Sequence, residues 1–401
     1  MPCTRPVWTT AIQSVVATEL KENMRLTFLA MSAGFLVMSS QAQTPAATDP
    51  QTPATPAAPA PAPPPSAWSK HGTDFSIWLD GYVDGNFNHP DSGFNDLRNF
   101  DYRADRAHFG LGKLSIDHAP APFGFHADIG FGQTLYAIHA PDPGPDGMKY
   151  IEQAYVSVKP KSWKGLELDF GKFVTSAGAE VIESYSNWNY SRSLLFAWAI
   201  PYYHMGLRAS FPVGPHFTGG VQVVNGWNND ADNNSGKTIG INGAYAWKKV
   251  TWTNNYYVGP EKTDTNKGVR NLFDSVVQYN QNENMSYYVN FDWGRENNIG
   301  RGGQSWTGVA VAARRAIGKK FAFAPRVEFY NDIDGFTTGL KQKIGEVTFT
   351  GEYKINNWLV SRLEFRDDWS DQPFFDKGSG KHGKNQGTVL LGLMAYFGSK
   401  K

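Results

Sequence analysis

The sequence has one cysteine, Cys3, which excludes a disulfide within the chain, a redox pair of cysteines and a zinc site built from thiolates. No apolar run reaches the roughly 18 residues that a membrane-spanning helix requires. The mean hydropathy of −0.44 is also too polar for a bundle of such helices. The 38 basic and 37 acidic residues nearly cancel, and no lysine- or arginine-rich run occurs. A nucleic-acid partner is therefore not expected.

The longest apolar run, residues 26–38, has the features of a secretory signal peptide. It follows the basic residue Arg25, and residues 40–42 place small side chains at both positions that signal peptidase reads. We expect residues 1–42 to form a leader that is removed on export, with Met24 as an alternative start of the chain.

Composition divides the remainder of the chain into two parts. Residues 43–70 are mainly Pro, Ala, Thr and Gln, a composition that cannot bury a core. We predict that they form an extended periplasmic linker. The rest of the sequence supplies most of the 14% aromatic residues and the 41 glycines, and we predict one β-domain over residues 71–401.

Apolar and polar residues alternate from Phe75 to Phe87, which is the period of a β-strand with two different faces. The apolar faces carry no charge, whereas the opposite faces hold residues such as Asp80, Arg326 and Glu352. The alternation recurs at residues 285–293, 321–329, 347–355 and 359–365. A β-sandwich turns its apolar face inward, whereas a membrane barrel turns it to lipid and lines a water-filled lumen with the charged face.

The lengths of the connections favour the barrel. Short turns are predicted at residues 118–122, 160–165, 212–216, 248–249, 280–284, 318–320 and 356–357. Longer polar loops alternate with them at residues 89–99, 140–149, 174–202, 228–236, 259–270, 295–304, 332–341 and 370–385. Short turns on one rim and long loops on the other are the layout of an outer-membrane barrel. We predict an all-β, antiparallel up-and-down transmembrane β-barrel of about sixteen strands.

Three local details accompany this prediction. Aromatic residues at strand ends suggest an interfacial girdle, namely Trp247, Trp252, Trp293, Trp306, Trp358 and Trp369. Pro325 has no backbone N–H, so it interrupts the ladder and needs a bulge or a rim position. Asn356 and Asn357 are suited to the positive φ of a two-residue hairpin.

The third long loop is the longest, and side chains alone cannot fill a barrel of this width, so we expect the loop to fold into the lumen as a constriction. Opposed carboxylates and guanidinium groups across such a constriction would sort polar solutes by charge. The alternative is an external loop packed on itself. The predicted constriction residues are Glu180, Glu183, Arg192, His204, Arg208, Arg326, Glu328, Arg362, Glu364 and Arg366.

The same region resembles a known family. The sequences GKFVT at residues 171–175, GAE at 178–180, NYSRS at 189–193, HMGLR at 204–208 and RLEFR at 362–366 are similar to the second β-barrel porin family, the OmpL-like proteins. The similarity extends over about residues 75–397. It implies an outer-membrane pore. It supplies no catalytic residues and no assigned solute.

Catalytic and metal sites are not expected. His204 near Ser191 and Ser193 is a weak nucleophile arrangement. Residues 229–236 are spaced like a calcium loop, but Ser235 and Ile241 stand where that loop has its Gly and its Glu. We therefore predict a porin that needs no cofactor or metal and is not an enzyme. Its partners would be small hydrophilic solutes, the outer-membrane bilayer, the barrel-assembly machinery and, by analogy, two further copies in a homotrimer. The alternatives are a non-conducting structural barrel or adhesin, and an outer-membrane hydrolase.

Overall fold

A computed structural model of the protein describes residues 68–140, 142, 144–298 and 302–398. The predicted leader at residues 1–42 and the predicted linker as far as residue 67 lie outside the described residues. Backbone pairing begins at the short strand Ser69–Lys70, which pairs with Thr73 and Asp74.

Sixteen strands make up the barrel, as the alternating turns and loops predict. They are β1 Thr73–Asn86, β2 Ala107–His118, β3 Phe123–Phe131, β4 Ile151–Val158, β5 Glu167–Val174, β6 Tyr203–Val213, β7 Phe217–Val224, β8 Thr238–Trp247, β9 Val250–Gly259, β10 Arg270–Asn282, β11 Met285–Asn298, β12 Gly302–Ile317, β13 Phe321–Asp332, β14 Gln342–Lys354, β15 Leu359–Ser370 and β16 Asn385–Gly398. Each strand pairs antiparallel with the next, and β16 closes the barrel against β1, with Leu391 opposite Val83.

Helices are short in the described part of the chain. There is one α-helix, α1, Gln133–His139. The 3₁₀ segments are Asp146–Tyr150, Lys161–Trp163 and Ser184–Ser186, and a π-helical turn covers Leu195–Ala199. None of the helices in these residues has the length and apolar character needed to cross a membrane. A two-stranded hairpin, Phe375–Asp376 with His382–Gly383, lies in the last long loop.

The two faces of each strand follow the predicted alternation. On β1, the side chains of Leu79 and Val83 point outward and are more than 40% exposed, whereas those of Asp80 and Asp84 point inward and are buried. A register shift between Asp80 and Gly81 against β2 does not change this arrangement. The apolar face therefore lies on the outside of the barrel and the charged face on the inside.

The connections also match the prediction, with one exception. The long loops used below are L1 (residues 87–106), L2 (132–150), L3 (175–202) and L4 (225–237). The predicted long loop at residues 295–304 is wrong, because β11 continues to Asn298 and β12 begins at Gly302. Here the strand pairing extends through polar residues whose composition predicts a loop.

Two of the local details need correction. Trp306 is not a girdle residue, because its side chain points into the barrel and is 1% exposed, whereas the other five predicted tryptophans are 36 to 48% exposed on the outside. Asn356 and Asn357 do not form a two-residue hairpin. Residues 355–358 form the turn, and the Asn356 side-chain oxygen accepts from the N–H groups of Trp358 and Leu359, each at 2.9 Å.

Pro325 interrupts the ladder without a bulge. Pairing of β13 with β12 stops after Arg326 opposite Ala312 and resumes at Phe323 opposite Arg315, in the same register. On the other side, Pro325 pairs regularly with Phe349 of β14. The missing N–H therefore costs a local gap on one side only, and the register of the barrel is preserved.

A charge placed on the outer face tests this orientation. Leu363 lies near the middle of β15 and is 58% exposed, whereas Ile317 lies at the end of β12 and is 55% exposed. We expect Leu363→Arg to lower the free energy of unfolding in lipid vesicles by about 2–4 kcal/mol, and Ile317→Arg by about 0–1 kcal/mol, because the cost depends on depth in the bilayer. Equal losses in urea titrations would contradict the proposed membrane position.

Candidate functional site

L3 enters the barrel and crosses the lumen, as predicted. Leu194, Leu195 and Ala199 have no exposed side-chain surface, although they belong to a connection between strands. The Trp306 indole N–H on the inner wall donates to the carbonyl oxygen of Ala199 at 3.2 Å. L3 is therefore a packed part of the interior and does not lie on the surface.

L1 and α1 also contribute to the interior, which sequence reasoning missed. Leu97 and Phe100 of L1 pack with Leu135 and other L2 and L3 residues in one apolar cluster. The Arg192 guanidinium of L3 lies 4.6 Å from the centroid of the Phe100 ring. A signal was present in the sequence, since Leu97 and Phe100 are large apolar residues within a loop made mostly of polar ones.

Side chains of β15 hold L3 by its main chain. The Arg362 guanidinium donates to the carbonyl oxygen of Ser184 at 2.6 Å. The Glu364 carboxylate accepts from the backbone N–H groups of Tyr190 at 2.7 Å and Ser191 at 3.0 Å. These are charge-assisted hydrogen bonds, about twice as strong as neutral ones, and they fix the path of the loop at the wall.

Guanidinium groups and carboxylates alternate in a continuous network behind this loop. Each of its side chains is at most 4% exposed. The contacts join Arg326 to Glu180 (2.7 Å), Glu346 (2.9 Å) and Glu328 (3.1 Å), Arg366 to Glu346 (3.1 Å) and Asp368 (2.7 Å), and Arg98 to Asp368 (2.8 Å) and Asp101.

This network gives the predicted charged residues a different role from the one expected. The sequence predicts carboxylates and guanidinium groups on opposite sides of a water-filled gap, whereas the structure brings Glu180 of L3 into direct contact with Arg326 of the wall. Arg326 and Arg366 also donate to the main-chain oxygens of Ser191 and Arg192, at 2.8 and 2.7 Å. In this arrangement the wall charges anchor the loop. Their effect on ion selectivity remains a prediction.

The remaining L3 residues of the predicted set bond elsewhere. The Arg192 guanidinium donates to carbonyl oxygens of its own loop, those of Tyr190 at 2.7 Å and of Ile182. Glu183 contacts the Lys113 ammonium, which also lies 3.1 Å from Asp128 and 3.4 Å from Glu152.

The carboxylates around Lys113 have the spacing of a metal site. One oxygen from each of Asp128, Glu152 and Glu183 lies within 4.8 Å of the others. The Lys113 ammonium lies within 3.4 Å of both Asp128 and Glu152, so it already supplies a cation to the group. The cluster is therefore interpreted as an ion-pair anchor for L3.

The two predicted residues of β6 lie apart from the network. His204 is fully buried, with its Nδ1 2.9 Å from the carbonyl oxygen of Gly226 and its ring stacked on Tyr257. Arg208 is 31% exposed, and its Nε donates to Asp169 at 2.7 Å. Of the ten predicted residues, Arg208 therefore has the most exposed side chain.

A polar cavity lies beside Arg208. Its volume is about 250 Å³, and it lies between the start of L3 and the wall from β5 to β8. Glu167, Asp169, Ser176, Arg208, Gln222 and Asn242 contribute polar groups to its lining. This cavity is a polar space next to L3 on the side of the lumen away from the Arg326 network.

Sequence reasoning missed several members of the network. Glu346 and Asp368 lie on inward faces next to predicted residues, so alternation along β14 and β15 was a sufficient signal for them. Arg98 had no such signal. Arg98 reaches Asp368 from L1, a contact between residues 270 positions apart, and only the closed barrel brings the two together.

L2 and L4 meet at the extracellular rim. Tyr203 donates to the Asp142 carboxylate at 2.5 Å, and the backbone N–H of Asp230 points to the same carboxylate at 3.3 Å. Burial raises the pKa of Asp230 to about 6. For Asp142 burial acts in the same direction, but the hydrogen bonds it accepts outweigh it, and the pKa is lowered.

Loss of an anchor should loosen L3. Arg362 and Arg314 both contact the Glu352 carboxylate, at 2.8 and 2.6 Å, but only Arg362 reaches L3. We expect Arg362→Gln to increase hydrogen exchange at residues 184–190, because breaking a buried ion pair costs about 3–5 kcal/mol. Arg314→Gln is the matched control and should leave exchange in L3 unchanged. Equal effects of the two variants would contradict the anchoring role.

A family model described as "Putative beta-barrel porin-2, OmpL-like" matches residues 72–397. No curated protein gives a significant match to the sequence.

Solved structures share the architecture. OprB of Pseudomonas putida is 14% identical, with a TM-score of 0.55 over 81% of this chain and 94% of OprB. The trimer form of OmpT, an outer membrane protein of Vibrio cholerae, is 12% identical, with a TM-score of 0.54 over 81% of this chain and 99% of OmpT. The outer membrane channel DcaP of Acinetobacter baumannii is 12% identical, with a TM-score of 0.53 over 82% and 99% of the two chains. At these identities the similarity shows the fold.

Proposed function

Because the chain belongs to the β-barrel porin-2, OmpL-like family, we propose that it is a bacterial outer-membrane porin through which small polar or charged solutes diffuse passively. The family match covers nearly the same residues as the resemblance found in the motifs, which is thereby confirmed. The outward apolar surface and the charged interior of the sixteen-stranded barrel fit this location.

The polar cavity beside Arg208 carries the proposal for the solute path. L3 is anchored to β13 and β15, so the loop occupies the lumen on the side of these strands. The side from β5 to β8 keeps polar groups and about 250 Å³ of space beside the loop. A path along this wall would expose solutes to Arg208, Asp169 and Glu167, whose mixed charges favour small hydrophilic solutes of either sign.

A catalytic function lacks support from the contacts of the weighed residues. The Ser191 hydroxyl contacts Arg326 and Arg366, and the Ser193 hydroxyl accepts from the backbone N–H of Phe196. His204 bonds to the Gly226 carbonyl oxygen. We therefore propose that the protein is not an enzyme.

A second function, a non-conducting structural barrel or adhesin, is favoured by one observation. The Arg326 network and the L3 residues that it holds are almost entirely buried. If no path opens beside L3, the loop plugs the lumen and the extracellular loops carry the function.

We also propose that the chain forms a homotrimer, in keeping with the trimer form of the structurally similar OmpT. We propose that the barrel-assembly machinery inserts it into the outer membrane.

Single-channel recording tests the solute path. We expect the refolded protein to give ohmic steps in planar bilayers, and Arg208→Glu to shift the reversal potential in a salt gradient toward cation preference, because it replaces a lumenal cation by an anion. Arg295→Glu is the matched control, since Arg295 lies in an exposed position at the end of β11.

The possible results separate the two functions. Silence from a correctly folded barrel would overturn the porin and support the structural barrel. Conduction with no response to Arg208→Glu would retain the porin and place the solute path elsewhere in the lumen.

A further inference from the structure

The short connections at the periplasmic rim carry charge of almost one sign. They are residues 69–72 before β1 and the turns at residues 119–122, 159–166, 214–216, 248–249, 283–284, 318–320 and 355–358. Together they contain eight lysines and one carboxylate, that of Glu283. The long loops of the opposite rim carry aspartate and glutamate at least as often as lysine and arginine. The positive excess therefore belongs to the periplasmic rim and not to the chain as a whole.

These lysines are spaced evenly around the barrel. Three of the four groups lie in turns that are four strands apart, between β4 and β5, between β8 and β9, and between β12 and β13. The fourth lies just before β1, next to the closing strand β16. The eight residues are Lys70, Lys159, Lys161, Lys164, Lys248, Lys249, Lys319 and Lys320. A partner that touches all four groups must surround the barrel, as a bilayer does.

Most of these ammonium groups have no carboxylate partner. All eight side chains are exposed. Lys159 lies 2.8 Å from Glu167, and none of the other seven forms an ion pair with a described residue. Lys164 and Lys248 have φ of 52° and 54°, a conformation that glycine and asparagine adopt more readily. The turn itself gains nothing from a lysine at these two positions, so the side chains are expected to act outside it.

Aromatic side chains place this rim at the membrane interface. The Lys248 ammonium lies 4.3 Å from the centroid of the Trp247 ring, and the Lys320 ammonium lies 5.8 Å from that of Tyr353. Both rings are on the outer face, 48 and 38% exposed. Trp163, in the turn between β4 and β5, is 40% exposed. Such rings lie at the level of lipid headgroups, and a lysine stem can follow the apolar surface while its ammonium reaches the phosphates.

We propose that the seven lysines without an ion pair, the lysine collar, bind the headgroups of anionic phospholipids in the periplasmic leaflet of the outer membrane. Lysines close to a surface of anionic lipid are attracted to it, and the described chain offers the collar no carboxylate instead. A docked protein or a cell-wall strand would contact one sector of the rim, whereas lipid contacts all four groups. The inference goes beyond the proposed porin function, because it concerns the outer rim and holds whether or not the lumen conducts.

Lipid preference tests the collar. The refolded protein in detergent is titrated with phosphatidylglycerol or with phosphatidylcholine of the same acyl chains, and bound lipids are counted by native mass spectrometry. One variant replaces one lysine of each group, Lys70→Gln, Lys164→Gln, Lys248→Gln and Lys320→Gln. We expect it to lower the preference for phosphatidylglycerol about fivefold at each site, which corresponds to about 1 kcal/mol per lysine.

The matched control removes the same charge from exposed lysines of the opposite rim, none of which has an ion pair with a described residue. It combines Lys267→Gln, Lys341→Gln, Lys381→Gln and Lys384→Gln. This variant should keep the preference of the wild-type protein. Heat-dependent mobility in electrophoresis verifies that each variant is folded.

Three results would overturn the proposal. They are a wild-type protein without preference for phosphatidylglycerol, a folded collar variant that keeps the preference, and equal losses in the collar variant and the control. Co-sedimentation with purified peptidoglycan that requires the collar lysines, without a lipid preference, would assign the collar to the cell wall and would likewise overturn it.

Discussion

The guanidinium groups of Arg326, Arg362 and Arg366 hold L3 across the lumen, and the interior of the barrel is organised around that contact. A charge that is removed from water is tolerated only when it is paired and hydrogen-bonded. The wall therefore meets these groups with Glu346 and Asp368, while L3 meets them with Glu180 and its own carbonyl oxygens. Ion pairs and main-chain contacts together account for the burial of a connection that would otherwise lie in solvent.

In the proposed function, this anchoring limits the side of the lumen along which solutes can move. L3 covers the inner face of β13 to β15, the strands that contribute most of the anchors. The opposite side of the lumen keeps a polar cavity beside Arg208. A constriction made from a loop is usually interpreted through the charges that face each other across it. In this barrel most of those charges are in direct contact. Under the proposed solute path, the size of the pore would therefore depend on how firmly L3 is held, and ion selectivity would depend on the residues beside the cavity.

The sequence was sufficient to predict the class of fold and the alternation of short turns with long loops. Alternation along a strand is a local property, and so is the difference between a short turn and a long loop, so sixteen strands and their faces could be predicted. Local reasoning failed where a partner decides the outcome. Trp306 is an aromatic residue near a strand end, as a girdle residue would be. Its indole N–H nevertheless points into the lumen, where it donates to the carbonyl oxygen of Ala199 in L3. Residues 295–304 look like a loop, yet β11 and β12 pair through most of them.

The sequence by itself determined a β-barrel with an apolar outside, a charged inside and a long third connection. Each of these features depends on a pattern among residues that are close together in the chain. Tertiary structure decided which charges meet. Arg98 reaches Asp368, Lys113 reaches Glu183, and Glu346 lies between two arginines of different strands, because closing the barrel brings together residues that are far apart in sequence.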